Sequence, residues 1–354
     1  MSFWNQRSVL VTGGASFIGS HLVEHLVRLG AAVRVADDLS SGRLENLGAV
    51  QDSVDIMVGD CRQRDFSDRA CDEMDVVFHL AAAHGGRGYI DTHPVECSLN
   101  MVLDGVVFSS AHRAGVDRIC FASTACVYPT TLQDQPLEGN LIYLKEGMAN
   151  LDEPGRAFAD GEYGWTKLMG EMALRAYTRQ HGLKTVPCRI FTAYGERENE
   201  THAVIAWIAR AFVAQDPFVI WGNGEQDRNF TYVGDVVQGL LRAAERVTDG
   251  TPVNIGTGEH IKVVDAVRLV LEITGGAPTI EFDLSKPVGV LSRAADLAQT
   301  RALLGWEPNI SFETGLRRTI DWYFSTHDRD QVKANLDTLL TERFGLDGVL
   351  RSAT

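Results

Sequence analysis

Val9-Leu10-Val11-Thr12-Gly13-Gly14-Ala15-Ser16-Phe17-Ile18-Gly19-Ser20 is an apolar, β-branched run that passes through a glycine turn into an amphipathic stretch. A buried strand turning directly into a helix aims backbone N–H groups and the positive helix end at one point, the geometry that receives a pyrophosphate. The helix is expected over Ser20–Leu29, and the following strand ends at Asp37, 18 residues after Gly19. A carboxylate there accepts hydrogen bonds from the adenosine ribose hydroxyls and repels a 2′-phosphate, so the reading is NAD and not NADP. Gly13, Ser16, Phe17, Ile18, Gly19 and Asp37 are the candidate cofactor contacts. Ser16 stands where such a fingerprint carries its middle glycine, and its side chain is expected to crowd the turn. Asp60, after Gly59, ends the third strand and is a candidate to meet the adenine. Leu80, Ala81 and Ala82 end the fourth, where small side chains let a cofactor approach.

Outward from this stretch, Ser8–Val11, Ala32–Ala36, Asp55–Val58, Val76–Leu80 and Arg118–Ala122 read as strands separated by helical periodicity. That alternation predicts a Rossmann-type α/β fold, a doubly wound parallel sheet covered on both faces. Long helices are expected at Pro94–Ala114, Glu162–Gln180, Val204–Ala214, Val233–Val247, Val263–Ile273 and Phe312–Phe324. Beyond Cys188 the alternation loosens into short strand candidates at Pro217–Trp221, Asn229–Val233, Pro252–Ile255 and Thr279–Phe282, which suggests a smaller mixed α/β lobe. The expected division is a dinucleotide domain over 1–188, with a further strand and helix from about 229–247. A discontinuous substrate lobe over 189–325 and a tail over 326–354, read as a surface helix with a frayed end, complete it.

The 354 residues carry 33 basic and 47 acidic side chains, a net charge of −14, with no Lys/Arg-rich run to follow a phosphate backbone. Nucleic acid is therefore not an expected partner. No apolar stretch approaches the roughly 18 residues of a membrane span, and no leader-like core precedes the first strand, so a cytoplasmic protein is expected. The six cysteines form no Cys-x-x-Cys pair, and neither a disulfide framework nor a metal site is indicated.

Tyr163 and Lys167 lie four apart in Gly161-Glu162-Tyr163-Gly164-Trp165-Thr166-Lys167 and share one helix face. A nearby ammonium is expected to lower the phenol's pKa, so that it takes a proton from a sugar hydroxyl while hydride leaves for NAD. In Cys120-Phe121-Ala122-Ser123-Thr124-Ala125-Cys126-Val127-Tyr128-Pro129, Thr124 ends the fifth strand, where ligands sit in open parallel sheets. Together these stretches resemble the extended short-chain dehydrogenase/reductase family, the nucleotide-sugar epimerases and dehydratases, over roughly residues 7 to 325. The resemblance implies a nucleoside diphosphate sugar as substrate and a homodimer through the helices around Pro94–Ala114 and Glu162–Gln180. It also implies a diphosphate contact at Arg228, within Gly222–Val233, and a second anion contact at Arg293. Thr192 stands where the family usually has an asparagine that touches the substrate phosphates.

Dehydratases and decarboxylases of the family carry an acid soon after the strand-end hydroxyl, whereas Thr124-Ala125-Cys126 carries a cysteine. With the loop Ala82-Ala83-His84-Gly85-Gly86-Arg87-Gly88-Tyr89-Ile90, this is similar to the GDP-mannose 3,5-epimerase branch. The similarity implies Cys126 as a carbon-acid base and places His202 at the position of that branch's acid lysine, with His84 a rival acid. His84, Gly85, Gly86 and Arg87 are then substrate contacts. Oxidation at C4 acidifies the hydrogens at C3 and C5, a thiolate removes one, and an acid reprotonates the enolate. Two other readings stay open: a UDP-hexose or UDP-uronate 4-epimerase, and an NAD-binding regulator without chemistry.

Overall fold

The computed structural model describes residues 2–133, 142–286 and 288–342. Seven strands form the main sheet: β1 Ser8–Thr12, β2 Ala32–Asp37, β3 Val54–Val58, β4 Val76–His79, β5 Arg118–Thr124, β6 Lys184–Ile190 and β7 Val253–Ile255. Every pairing is parallel and the order is β7-β6-β5-β4-β1-β2-β3. The order reverses between β1 and β4, and a crevice opens there at the carboxyl ends of the strands. The strands read as near-continuous apolar runs because both faces are covered. Leu22, Leu26, Val236 and Leu240, from helices Phe17–Arg28 and Val233–Arg246, pack one face against Val9, Val11, Val35 and Phe78. Phe66, Val107, Phe108 and Leu174 pack the other against Leu10, Val77, Ile119 and Phe121. Each such side chain contributes about 1.5–3 kcal/mol on burial.

The smaller lobe has its own core, built from helices Ala203–Phe212, Val263–Thr274, Phe312–Thr326 and Arg329–Leu339. Short strands Tyr143–Leu144, Asp227–Arg228, Ile261–Lys262 and Ser292–Ala295 make a mixed sheet over the crevice.

Several elements differ from the sequence reading. The strand that extends the main sheet from beyond the first crossover is β7, Val253–Ile255, and not one from about 229–247. Within the expected strand Asn229–Val233 only Thr231–Tyr232 is a strand, paired with Ala193–Tyr194, Val233 opens a helix, and Asp227–Arg228 just before it joins the mixed sheet. Helix Val233–Arg246 does pack on the main sheet. The long helix expected over Pro94–Ala114 is two, Pro94–Ser98 and Asn100–Arg113. Asn100 at the break donates to the Ala83 carbonyl and accepts from the Ala83 N–H, tying the helix to the loop after β4. In the tail, Arg329–Leu339 is helical, and residues 343–354 lie outside the described residues.

Candidate active site

One cavity at the strand ends is lined by residues from both lobes. On its cofactor side the glycine turn is tight. A Cβ on Gly13, whose φ is +70°, would stand 2.9 Å from the Ala81 nitrogen, and one on Gly19 would stand 2.1 Å from the Gly13 carbonyl oxygen. Ser16 does not crowd the turn as expected: its φ is −87°, ordinary for an L residue, and its hydroxyl points to Asp37 Oδ2 at 3.5 Å. The helix that follows has neither a side-chain cap nor an acidic residue in its first turn, so its N–H groups meet the cavity unopposed. Phe17, Ile18, Leu80, Ala81 and Ala82 line the same wall.

Asp37 ends β2 and accepts from the Ala15 and Leu39 N–H groups, each at 2.9 Å. Burial raises its pKa against those hydrogen bonds. Asp60 stands apart from the cavity lining. It is bound by Arg62, whose Nε donates to both carboxylate oxygens at 3.0 Å.

At the catalytic end, Thr124 closes β5 and accepts from the Cys126 N–H at 3.2 Å, which sets the turn that presents Cys126. Helix Gly161–His181 lies hard against this turn, because a Cβ on Gly164 would stand 2.4 Å from the Cys126 carbonyl oxygen. That approach brings Tyr163 to Thr124, which hydrogen-bonds it and favours its phenolate. Burial nevertheless pushes the Tyr163 phenol well above its ordinary value, so the expected lowering by lysine does not dominate in the protein alone. Lys167 is itself lowered by burial and raised by Asp104, whose Oδ1 lies 3.9 Å from Nζ. The Lys167 Nζ is buried with no hydrogen-bond partner among the described residues. A ribose hydroxyl would satisfy that orphaned ammonium, and with the glycine cradle this fits a dinucleotide.

The Cys126 sulfur accepts from Arg293 Nη1 at 3.3 Å. Asp160, one residue before helix Gly161–His181, joins Arg293 at 3.1 Å to Arg87 at 2.9 Å. Those two guanidinium groups hold its carboxyl below the usual range against the opposing effect of burial. Arg228 is also near. It donates to the Val288 and Asp227 carbonyls, and burial, followed by the Arg293 charge, lowers it to about 10. Arg87 also pairs with Asp91 at 2.8 Å, so three arginines against these two aspartates still leave an excess of positive charge suited to a diphosphate. The loop with His84, Gly85 and Gly86 meets the segment before helix Ala203–Phe212, where a Cβ on Gly86 would stand 1.8 Å from the Thr201 carbonyl oxygen. His84 stands 6.1 Å from the Tyr163 ring and 5.3 Å from the His202 ring, centroid to centroid. Thr192 and His202 also line the cavity. All the other sequence-selected residues thus converge on one cavity, with Asp37 just behind its wall.

Residues 9–256 match the model of the NAD dependent epimerase/dehydratase family. The chain belongs to that family. Its cofactor is NAD. A GDP-mannose 3,5-epimerase 1 from Oryza sativa subsp. indica is 31% identical over 330 residues, covering 92% of this chain and 84% of that one. A solved UDP-glucose 4-epimerase from Thermotoga maritima, with UDP-glucose, is 29% identical with a TM-score of 0.76, over 90% of this chain and 99% of that one. The Thermus thermophilus UDP-glucose 4-epimerase in complex with NAD is 26% identical with a TM-score of 0.77, over 90% of this chain and 100% of that one.

In this family member two acids that line the cavity, Asp160 and Glu198, and one buried beneath it, Asp104, went unread in the sequence. Asp160 stands three residues before Tyr163, a spacing that could have marked it. Asp104 accepts from the buried His79 at 3.0 Å beneath Lys167. Glu198 lies four residues before His202, with Oε1 3.4 Å from Nδ1. Among the described residues no helix is long and apolar enough to cross a membrane.

Proposed function

We propose that this enzyme is a nucleotide-sugar epimerase that oxidises C4 transiently, inverts C3, C5 or both, and restores C4, on a GDP-mannose-like substrate. The observation that carries the reading is Cys126 in the strand-end turn, its sulfur against Arg293 and in one cavity with Tyr163 and His202. Arg293 Nη1 donates to this sulfur at 3.3 Å and fixes it at the cavity wall. The likeness to the rice protein named a GDP-mannose 3,5-epimerase supports the branch.

Arg228, Arg293 and Arg87 bind the diphosphate, and the sugar extends toward Tyr163. Tyr163 takes the C4 hydroxyl proton, with Thr124 hydrogen-bonded to it and Lys167 one turn along the same helix. NAD, which the turn at Gly13 and Gly19 would hold, would supply a reversible hydride acceptor for C4. Cys126 removes a proton next to the ketone and the electron pair rests on the enolate. His202 supplies a proton to that carbon, and inversion follows when the two act on opposite faces. Tyr163 then returns its proton to the C4 oxygen. Exposed Val95, Met101, Val102, Trp165, Met169 and Met172, on helices Pro94–Ser98, Asn100–Arg113 and Gly161–His181, support a homodimer through this face.

A second reading, a 4-epimerase, needs Tyr163, Lys167 and Thr124 but not Cys126, and has the likeness to the Thermotoga maritima enzyme in its favour. Turnover of GDP-mannose, UDP-glucose and UDP-glucuronate in heavy water, with NMR of the recovered sugars, tests the choice. Deuterium at C3 or C5 is expected, and a deuterium-free product changed only at C4 would refute the proposal.

A further inference from the structure

Glu198 is a carboxylate that the mechanism above does not use. Its side chain is 2% exposed, it lines the cavity, and its Oε2 has no hydrogen-bond partner among the described residues. Its Oε1 lies 3.4 Å from His202 Nδ1. Other charged groups nearby are committed elsewhere. Arg197 pairs with Glu24, Glu200 accepts from Tyr323, and Arg210 donates to Gln215. Across the cavity, Arg87 and Arg293 are tied to Asp160, while the His84 ring stands 6.1 Å from that of Tyr163 and 5.3 Å from that of His202. An isolated buried carboxylate is costly unless a cation or a proton accompanies it.

We infer that Glu198 is the positioning residue for the acid of the reaction: it holds His202 by Nδ1, keeps the imidazole protonated, and leaves Nε2 as the atom that delivers a proton. The inference rests on the Cys126–His202 reading above. With Oε2 left without a hydrogen-bond partner among the described residues, the buried carboxylate is costly unless a cation stands beside it, and the His202 ring at 3.4 Å is the group placed to be that cation. The step balances. The C–H bond breaks toward the Cys126 sulfur, the electron pair stays on the enolate, and the Nε2–H bond breaks as a new C–H bond forms. The site ends with a thiol and a neutral imidazole in place of a thiolate and an imidazolium, and water carries the proton back from sulfur to nitrogen. That return explains why carbon-bound hydrogen should exchange with solvent.

Glu198→Gln keeps the shape and removes the charge. With GDP-mannose, UDP-glucose and UDP-glucuronate in heavy water, the variant is expected to lose about 100-fold in deuterium incorporation at C3 or C5. The absorbance of reduced nicotinamide formed on mixing is expected to be kept, which shows that the fold and the C4 oxidation survive. Glu198→Asp is expected to recover part of the exchange, and the acidic limb of its pH–rate profile should move relative to the parent. Exchange by Glu198→Gln within threefold of the parent overturns the inference alone. A parent enzyme that exchanges no carbon-bound hydrogen with any of the three sugars overturns the underlying reading and the inference together.

Discussion

The glycine turn yields the sharpest structural prediction, through Gly19→Ala. The added Cβ would stand 2.1 Å from the Gly13 carbonyl oxygen, 2.8 Å from Gly14 Cα and 2.9 Å from the Gly13 carbonyl carbon. All three atoms are backbone, so no side chain can swing aside, and relief requires the turn and helix to part by about 1 Å against optimal carbon contacts near 3.5 Å. Forced packing of this kind costs about 1–3 kcal/mol. Because the displaced atoms are those that would cradle the pyrophosphate, the cost falls on cofactor binding, about 5-fold to about 150-fold in NAD affinity. Calorimetric titration of NAD into cofactor-free parent and variant measures this, with Gly147→Ala as the comparison, since nothing lies within 4 Å of its Cβ position. NAD affinity within twofold of the parent for Gly19→Ala would refute the account of the turn.

Tyr163→Phe should retain NAD binding and lose about 100-fold to 10,000-fold in turnover, read by steady-state assay, which also excludes a regulator without chemistry. Asp160 has its carboxyl held below the ordinary value of 3.8. Its contribution to stability is therefore present above that value and disappears as the pH falls through the lowered folded one. Asp160→Asn should flatten the acid limb of stability measured by urea unfolding, and an unchanged limb would refute the pairing with Arg87 and Arg293. Met169→Glu, on an exposed apolar patch of helix Gly161–His181, should shift a dimer toward monomer in sedimentation velocity.

The first five strands were legible because each is an apolar run between helical stretches. The sixth, Lys184–Ile190, was not, since Pro187 and Arg189 break the pattern of an inner strand. Arg189 is accommodated there only through its buried pair with Glu171 at 2.8 Å and the carbonyls of Glu146 and Ala149. Tyr163, Lys167, Thr124 and Cys126 were readable because strand ends and helical spacing bring them together locally. Glu198 was not, because Glu196, Glu198 and Glu200 read as one charged loop, and tertiary packing alone decides which carboxylate is buried beside His202. The pair of Asp60 with Arg62, two residues on, is local and could have been read from the spacing.

Replacing the sulfur tests the central claim most directly. With Cys126→Ala, reduced nicotinamide should still form on mixing with nucleotide sugar, while loss of hydrogen from the carbons flanking C4 should stop. Wash-out at the parent's rate from the alanine variant would contradict the assignment of that cysteine as the base.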